Sequence, residues 1–190
     1  MVLPKTRKAV FLDRDGVINA DAGYLVKPED FRFLPGVFDA IRRLDQAGYA
    51  VVVVTNQSGI ARGFYTEEAY LASQAWLMKT FEDRDAPIEA VYYCPHHPDK
   101  GTGPYRIECD CRKPAPGLIL RAADELGIDL GSSAIVGDKI RDVEAGRRAG
   151  IPLRILVGTD ALDVPALAPP ATHAARGLPE AADIILEAAK

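Results

Sequence analysis

Three short apolar runs in this chain each break off at a polar group, and that pattern constrains the fold more than any other feature. Ala9 to Leu12 runs into Asp13-Arg14-Asp15-Gly16, Tyr49 to Val54 into Thr55-Asn56-Gln57-Ser58-Gly59, and Ser133 to Val136 into Gly137-Asp138-Lys139. Continuous apolar runs of this length, without polar alternation, are expected of strands buried on both faces of a parallel sheet. Ile88 to Tyr93 and Leu153 to Val157 read as two more strands. Helical patterns fall between them. Gly36 to Gly48 carries Val37, Ile41 and Leu44 on one face, with Gly48 as its cap. Thr66 can cap a helix reaching about Asp83, with Glu67 and Glu68 in its first turn, Leu71, Ala75 and Met78 facing inward, and Tyr70 and Trp76 as packing residues. Pro116 to Gly127, Asp142 to Ala149 and Pro179 to Ala189 complete the set. Strands alternating with helices predict an α/β fold: a central, mostly parallel sheet covered on both faces. In such sheets ligands collect beyond the carboxyl ends of the strands, so Asp13, Thr55 and Asp138 are expected at one edge.

Ala20 to Leu34, polar and turn-rich, reads as a loop over the end of the first strand, and residues 158–178 as an irregular arm. No composition shift divides the chain, so a single domain over residues 1–190 is expected, with a loop at 94–111 inserted and a C-terminal arm at 158–190. The net charge of −4 gives no basic footprint for nucleic acid. No Walker A or GxGxxG pattern follows a strand, no apolar run approaches membrane-spanning length, and the start of the chain lacks a signal-peptide core. A cytoplasmic monomer acting on a small molecule is the expectation.

Residues i and i+2 of an extended chain face the same way, so Asp13 and Asp15 project into one space. Two carboxylates so close repel unless a cation lies between them or one takes a proton. Gly16 permits the sharp turn that follows. Phosphate-ester chemistry needs a nucleophile, a cation and donors for the transferring group. Asp13 is a candidate nucleophile and Asp15 a candidate general acid and base. Asp13 and Asp138 could hold Mg2+, a hard cation suited to oxygen ligands. Thr55 and Asn56 offer a hydroxyl and an amide, Lys113 a point charge, and Arg112 a planar fork for a second anion. Each group also has a plainer reading: Asp138 and Asp142 as helix cap and first-turn charge, Thr55-Asn56 as a strand end, and Arg112-Lys113 as a solvated turn.

Cys94-Pro95-His96 and Cys109-Asp110-Cys111 form two close ligand pairs in a loop rich in proline and glycine. Three thiolates and an imidazole make a closed, tetrahedral structural zinc site, and metal would supply stability that the loop's apolar content does not. His97 is the alternative imidazole. A Cys109–Cys111 disulfide is disfavoured by its one-residue spacing.

FLDRDGVIN, VVVVTNQSGIARG, CRKP and VGDK-x-x-D together resemble the four motifs of the haloacid dehalogenase (HAD) superfamily, and YYCPHHP with CDCRKP resembles its small-cap, zinc-containing sugar-bisphosphate phosphatases. The resemblance covers residues 8–157. It implies a three-layer Rossmann-like (HAD-like) fold with a minimal cap and a zinc loop. It implies Asp13 as nucleophile, Asp15 as general acid and base, and Mg2+ held by the Asp13 and Asp138 carboxylates and the Asp15 carbonyl. Thr55 and Lys113 would steady the phosphoryl group and Arg112 would read the substrate. Asp21, Ala22, Gly23, Tyr24, Asn56, Gln57 and Ser58 would line the sugar pocket with Lys139 close by. Zinc would sit on Cys94, His96, Cys109 and Cys111. The implied reaction removes the 7-phosphate of a heptose 1,7-bisphosphate, leaving heptose 1-phosphate for the nucleotide-heptose units of surface polysaccharide. The rivals are a histidinol-phosphate phosphatase and a zinc-braced binding protein without catalysis; the latter lacks support because Asp13, Asp15 and Asp138 are all present.

Overall fold

A computed structural model describes residues 6–158 and 169–189. Six strands, β1 (Ala9–Leu12), β2 (Ala50–Asn56), β3 (Ala90–Cys94), β4 (Ala134–Gly137), β5 (Leu153–Val157) and β6 (His173–Ala175), form one parallel sheet in the order β3-β2-β1-β4-β5-β6. The five α-helices among the described residues are α1 (Val37–Gln46), α2 (Glu67–Glu82), α3 (Gly117–Leu126), α4 (Ile140–Ala149) and α5 (Leu178–Ala188).

Strand side chains alternate between two cores, as a period of two requires. Val10, Leu12, Val51, Val53 and Val136 pack with residues of α1, α2 and α5, while Ala9, Phe11, Val52, Val54 and Ile135 pack with residues of α3 and α4. The expected α/β sheet covered on both faces is therefore present. The chain turns from one side of β1 to the other between β2-β3 and β4-β5, and such a switch point opens a crevice at the carboxyl ends of the central strands. The pairing carries past β1, where the Asp13 N–H donates to the Val136 carbonyl at 3.0 Å and so fixes the residue beside β4.

Two expectations need correction. The segment expected as an irregular arm contains β6, a sixth strand pairing Ile155, Leu156 and Val157 with His173, Ala174 and Ala175. Three small and polar residues at a sheet edge leave no periodic signal; residues 159–168 of that arm lie outside the described residues. The inward face of α2 is Tyr70, Ser73, Leu77 and Phe81, whereas Leu71 and Ala75 are exposed and Met78 is only partly buried. The helix is rotated because an aromatic cluster of Phe31, Phe33, Phe38 and Trp76 receives Phe81 and its neighbours. Thr66 caps α2 as expected, accepting from the Ala69 N–H at 3.1 Å. The Ala20 to Leu34 segment folds back over the first strand's end, with Ala20 N bonded to the Arg32 carbonyl and Leu34 N to the Ile18 carbonyl. It is the small cap over the crevice.

Candidate active site

The two strands at the switch point, β1 and β4, each hand over an aspartate just past their last residue. Asp13 is 5% and Asp138 8% exposed. One turn into α4 stands Asp142, which is fully buried. One carboxylate oxygen from each of these three aspartates lies within 4.8 Å of the others. Gly16 is what allows this approach: its φ is +86° and a Cβ there would strike the Asp138 carboxylate. Gly137 makes similar room for Asp142.

Lys113 is the counter-charge. Its Nζ lies 2.9 Å from Asp13 Oδ1 and 2.8 Å from Asp142 Oδ1, and donates to the Val54 carbonyl at 2.8 Å. Asn56, at the end of β2, clamps the Lys113 backbone from both sides: its Oδ1 accepts from Lys113 N at 3.0 Å and its Nδ2 donates to Lys113 O at 3.1 Å. Two cations, the buried Lys113 and the more exposed Lys139 on Asp138, do not balance three buried acids. Burial, together with the nearby Asp142 and Asp15, pushes the Asp13 carboxyl up to about 7 against the pull of Lys113. Burial also raises Asp138, whose Oδ1 has no hydrogen-bond partner while Oδ2 takes Lys139 Nζ at 2.6 Å. An unpartnered buried carboxylate oxygen beside two more acids is a donor set that fits a hard divalent cation such as Mg2+.

Asp15 points into a separate network. Arg14, 3% exposed beneath the rings of Phe31 and Tyr70, donates Nε and Nη2 to its carboxylate at 3.0–3.2 Å. Asn19 Nδ2 and Gln57 Nε2 donate to it at 2.9 and 3.2 Å. Gln57 Nε2 also donates to Thr55 Oγ1 at 2.9 Å, and Tyr65 OH donates to Gln57 Oε1 at 2.7 Å. Gln57 thus links the acid Asp15 to the hydroxyl Thr55, and both ends of its amide are engaged.

A cavity of about 290 Å3 opens over these groups, lined by Asp13, Asp15, Asp21, Gly23, Tyr24, Thr55, Asn56, Gln57, Ser58, Gly59, Arg62, Tyr65, Arg112 and Arg141. Most of the expected pocket residues are brought together here. Ala22, Lys113 and Lys139 are not among its walls: Lys113 lies beneath the floor, and Lys139 is paired to Asp138. Reading the sequence missed Arg14, Arg62, Tyr65 and Arg141, and gave Asp142 only a place in the VGDK-x-x-D motif and a first-turn charge. Asp142 does accept from the Lys139 N–H at 3.0 Å, but the same carboxylate reaches Lys113. The signal for Asp142 was the D-K-x-x-D spacing, which places it one helical turn beyond the strand end; the other four carry none.

In the inserted loop, Cys111 Sγ is 3.2 Å from both Cys94 Sγ and Cys109 Sγ, Cys94 and Cys109 are 3.6 Å apart, and His96 Nδ1 is 3.3 Å from Cys111 and 3.8 Å from Cys94. Edges of about 3.8 Å follow from tetrahedral zinc–sulfur bonds of about 2.3 Å, so this quartet fits one ion. The cysteines are free, not a disulfide. His97 is turned away, its Nδ1 accepting from the backbone N–H groups of Asp99 and Lys100. Hydrogen bonding with Cys94 and burial hold the Cys111 thiol far above its ordinary pKa, so the thiolates need a cation to coexist. Arg112 follows at once and donates to the His96 carbonyl at 3.2 Å. Burial first, and the charges of Arg141 and Arg62 after it, lower the Arg112 pKa.

Known proteins resemble this chain in sequence and fold. The HAD-hydrolase-like family model matches residues 110–181. A D-glycero-β-D-manno-heptose-1,7-bisphosphate 7-phosphatase of Vibrio cholerae is 50% identical over 153 residues, 80% of this chain and 82% of that protein. The Yersinia pestis protein of the same name is 48% identical over 80% of each chain. The crystal structure of a D,D-heptose 1,7-bisphosphate phosphatase from B. bronchiseptica, complexed with magnesium and phosphate, is 34% identical, superposes with a TM-score of 0.79, and covers 95% of this chain and 99% of that one. Identity of this order over four-fifths of both chains leaves one conclusion: the protein belongs to the HAD-like phosphatases, in the family of the D-glycero-β-D-manno-heptose-1,7-bisphosphate 7-phosphatases.

Proposed function

We propose that the protein is a Mg2+-dependent phosphomonoesterase that removes the 7-phosphate of D-glycero-β-D-manno-heptose 1,7-bisphosphate. The observation that carries the substrate is the 50% identity to the Vibrio cholerae enzyme over four-fifths of both chains; the buried cluster of Asp13, Asp138, Asp142 and Lys113 supports the chemistry. Asp13, Asp138 and the Asp15 carbonyl would hold Mg2+, with Asp142 behind them keeping Lys113 in place. When bound, the ion neutralises the phosphoryl oxygens and keeps Asp13 ionised. The Asp13 carboxylate attacks phosphorus, the bond from phosphorus to the C7 oxygen breaks, and Asp15 gives that oxygen its proton. Asp15 then takes a proton from water, which attacks the acyl phosphate and frees Asp13 and inorganic phosphate. Thr55 and Lys113 steady the transferring oxygens. For this Asp15 must leave some of its bonds to Arg14, Asn19 and Gln57, which hold its carboxylate in the present structure.

Asp21, Gly23, Tyr24 and Ser58 would surround the sugar and Arg112 would meet the 1-phosphate. Zinc on Cys94, His96, Cys109 and Cys111 would brace the loop without entering the chemistry. The single domain, monomeric state and cytoplasmic setting belong to the same reading; no helix among the described residues is long and apolar enough to cross a membrane. The test is phosphate release from the α and β bisphosphates and from histidinol phosphate, with 31P NMR of the product. The reading expects the β bisphosphate to be fastest and the phosphate left behind to sit on C1. Preference for histidinol phosphate, or retention of the C7 phosphate, would refute it.

A further inference from the structure

Three guanidinium groups from separate parts of the chain line the cavity: Arg62 from the turn after β2, Arg112 from just past the inserted loop and Arg141 from the first turn of α4. Among the described residues no carboxylate lies in ion-pair range of Arg62 or Arg112, and Arg62 Nε is buried with no hydrogen-bond partner. Arg141 approaches Asp142 only at 4.0 Å, and that carboxylate is already engaged by Lys113 at 2.8 Å. Surface arginines elsewhere behave differently. Arg7, Arg121, Arg147 and Arg176 each meet a glutamate within 3.0 Å.

Local contacts leave these charges uncompensated: Arg62 lies 5.8 Å over the Tyr24 ring and Arg112 donates to the His96 carbonyl, but neither meets an anion among the described residues. A cation in the first turn of a helix opposes the macrodipole, so Arg141 weakens α4 where it stands. Three like charges around one small cavity also repel, in a chain whose net charge is −4. A residue that breaks a local rule without local gain is a mark of function. The phosphoryl group under transfer is provided for separately, by Lys113 beneath Asp13. A second phosphate, carrying about −1.5 to −2 charges near neutral pH, would relieve all three guanidinium groups and give Arg62 Nε an acceptor.

We infer that Arg62 and Arg141 complete, with Arg112, the subsite for the phosphate that is not cleaved, and so set the preference for a bisphosphate over a monophosphate; this rests on the substrate reading above. The experiment compares heptose 1,7-bisphosphate with heptose 7-phosphate, using the Mg2+- and zinc-loaded wild type, Arg62→Gln, Arg141→Gln, Arg62→Lys and the double glutamine variant. The ratio of kcat/KM for bisphosphate over monophosphate falls about tenfold in each glutamine variant, mainly through KM, and further in the double variant. Arg62→Lys keeps the charge and recovers part of the ratio. Arg141 is half-exposed, so its variant folds even where Arg62→Gln does not. A ratio held within about twofold, or an equal loss on both substrates, overturns the inference. A wild type without any preference for the bisphosphate overturns the substrate reading and this inference with it, and that ratio is measured first.

Discussion

At the scale of single residues the site is a problem of excess negative charge. Asp13, Asp138 and Asp142 are buried together, with Lys113 between Asp13 and Asp142 and Lys139 on Asp138, and burial raises Asp13 from an ordinary value of 3.8 to about 7. Between about pH 4 and 7 the Mg2+-free folded protein therefore holds a proton on Asp13 that the unfolded chain has released. Stability must fall as pH rises through that window. Asp13→Asn removes this dependence. In Mg2+-free buffer with zinc retained, urea unfolding of the variant gains on wild type by at least about 1 kcal/mol between pH 5 and pH 8. A constant difference between the two proteins would show that Asp13 is not so shifted. Gly16→Ala addresses the same cluster through space. A methyl group there meets Asp138 and requires a φ of +86° from a non-glycine residue. Mg2+ affinity measured by calorimetry falls at least about tenfold, the loss of roughly one charge-assisted contact.

Asp13, Thr55 and Asp138 were legible because each stands just past an apolar run, where this fold puts its chemistry, and Asp15 because it lies two residues beyond Asp13. Arg14 and Gln57 were not legible in their actual roles. Arg14 was given no part from the sequence, yet it lies buried against Phe31 and Tyr70 and grips Asp15. Gln57 looked like a sugar contact, yet its amide is shared among Asp15, Thr55 and Tyr65. Such contacts join residues distant in the chain, and no period or motif announces them.

At the scale of elements, α2 shows how tertiary packing overrides a plausible stripe. Leu71, Ala75 and Met78 share one helical face, but Leu77 and Phe81 on the adjacent face are the buried ones. Phe81→Ala should cost about 3–5 kcal/mol in urea unfolding, and Leu71→Ala less than about 0.5 kcal/mol; the reverse ranking would contradict the rotation described. The inserted loop is the second element with a consequence. Cys111 leads directly into Arg112 and Lys113, yet the two basic residues are held differently. Lys113 is fixed by Asn56, the Val54 carbonyl and two aspartates, whereas Arg112 has the His96 carbonyl. Removing zinc with a chelator, then restoring Mg2+, should raise KM for the bisphosphate about tenfold or more and change kcat less. Unchanged kinetics after verified zinc loss would detach the loop from substrate binding.

At the scale of the molecule, one sheet organises everything. The switch between β1 and β4 opens the crevice, β2 adds Thr55 and the clamp on Lys113, and the cap residues Asp21, Gly23 and Tyr24 line the cavity together with Arg112, just past the inserted loop. The family stands on identity across four-fifths of the chain; what that fold does with it rests on Asp13 becoming phosphorylated. Acid quenching during turnover of the β bisphosphate with Mg2+, followed by peptide mass spectrometry, measures this directly. The account predicts a phosphoryl group on the peptide bearing Asp13, and neither modification nor turnover in Asp13→Asn. Full turnover by that variant, or a phosphoryl group trapped on another residue, would contradict it.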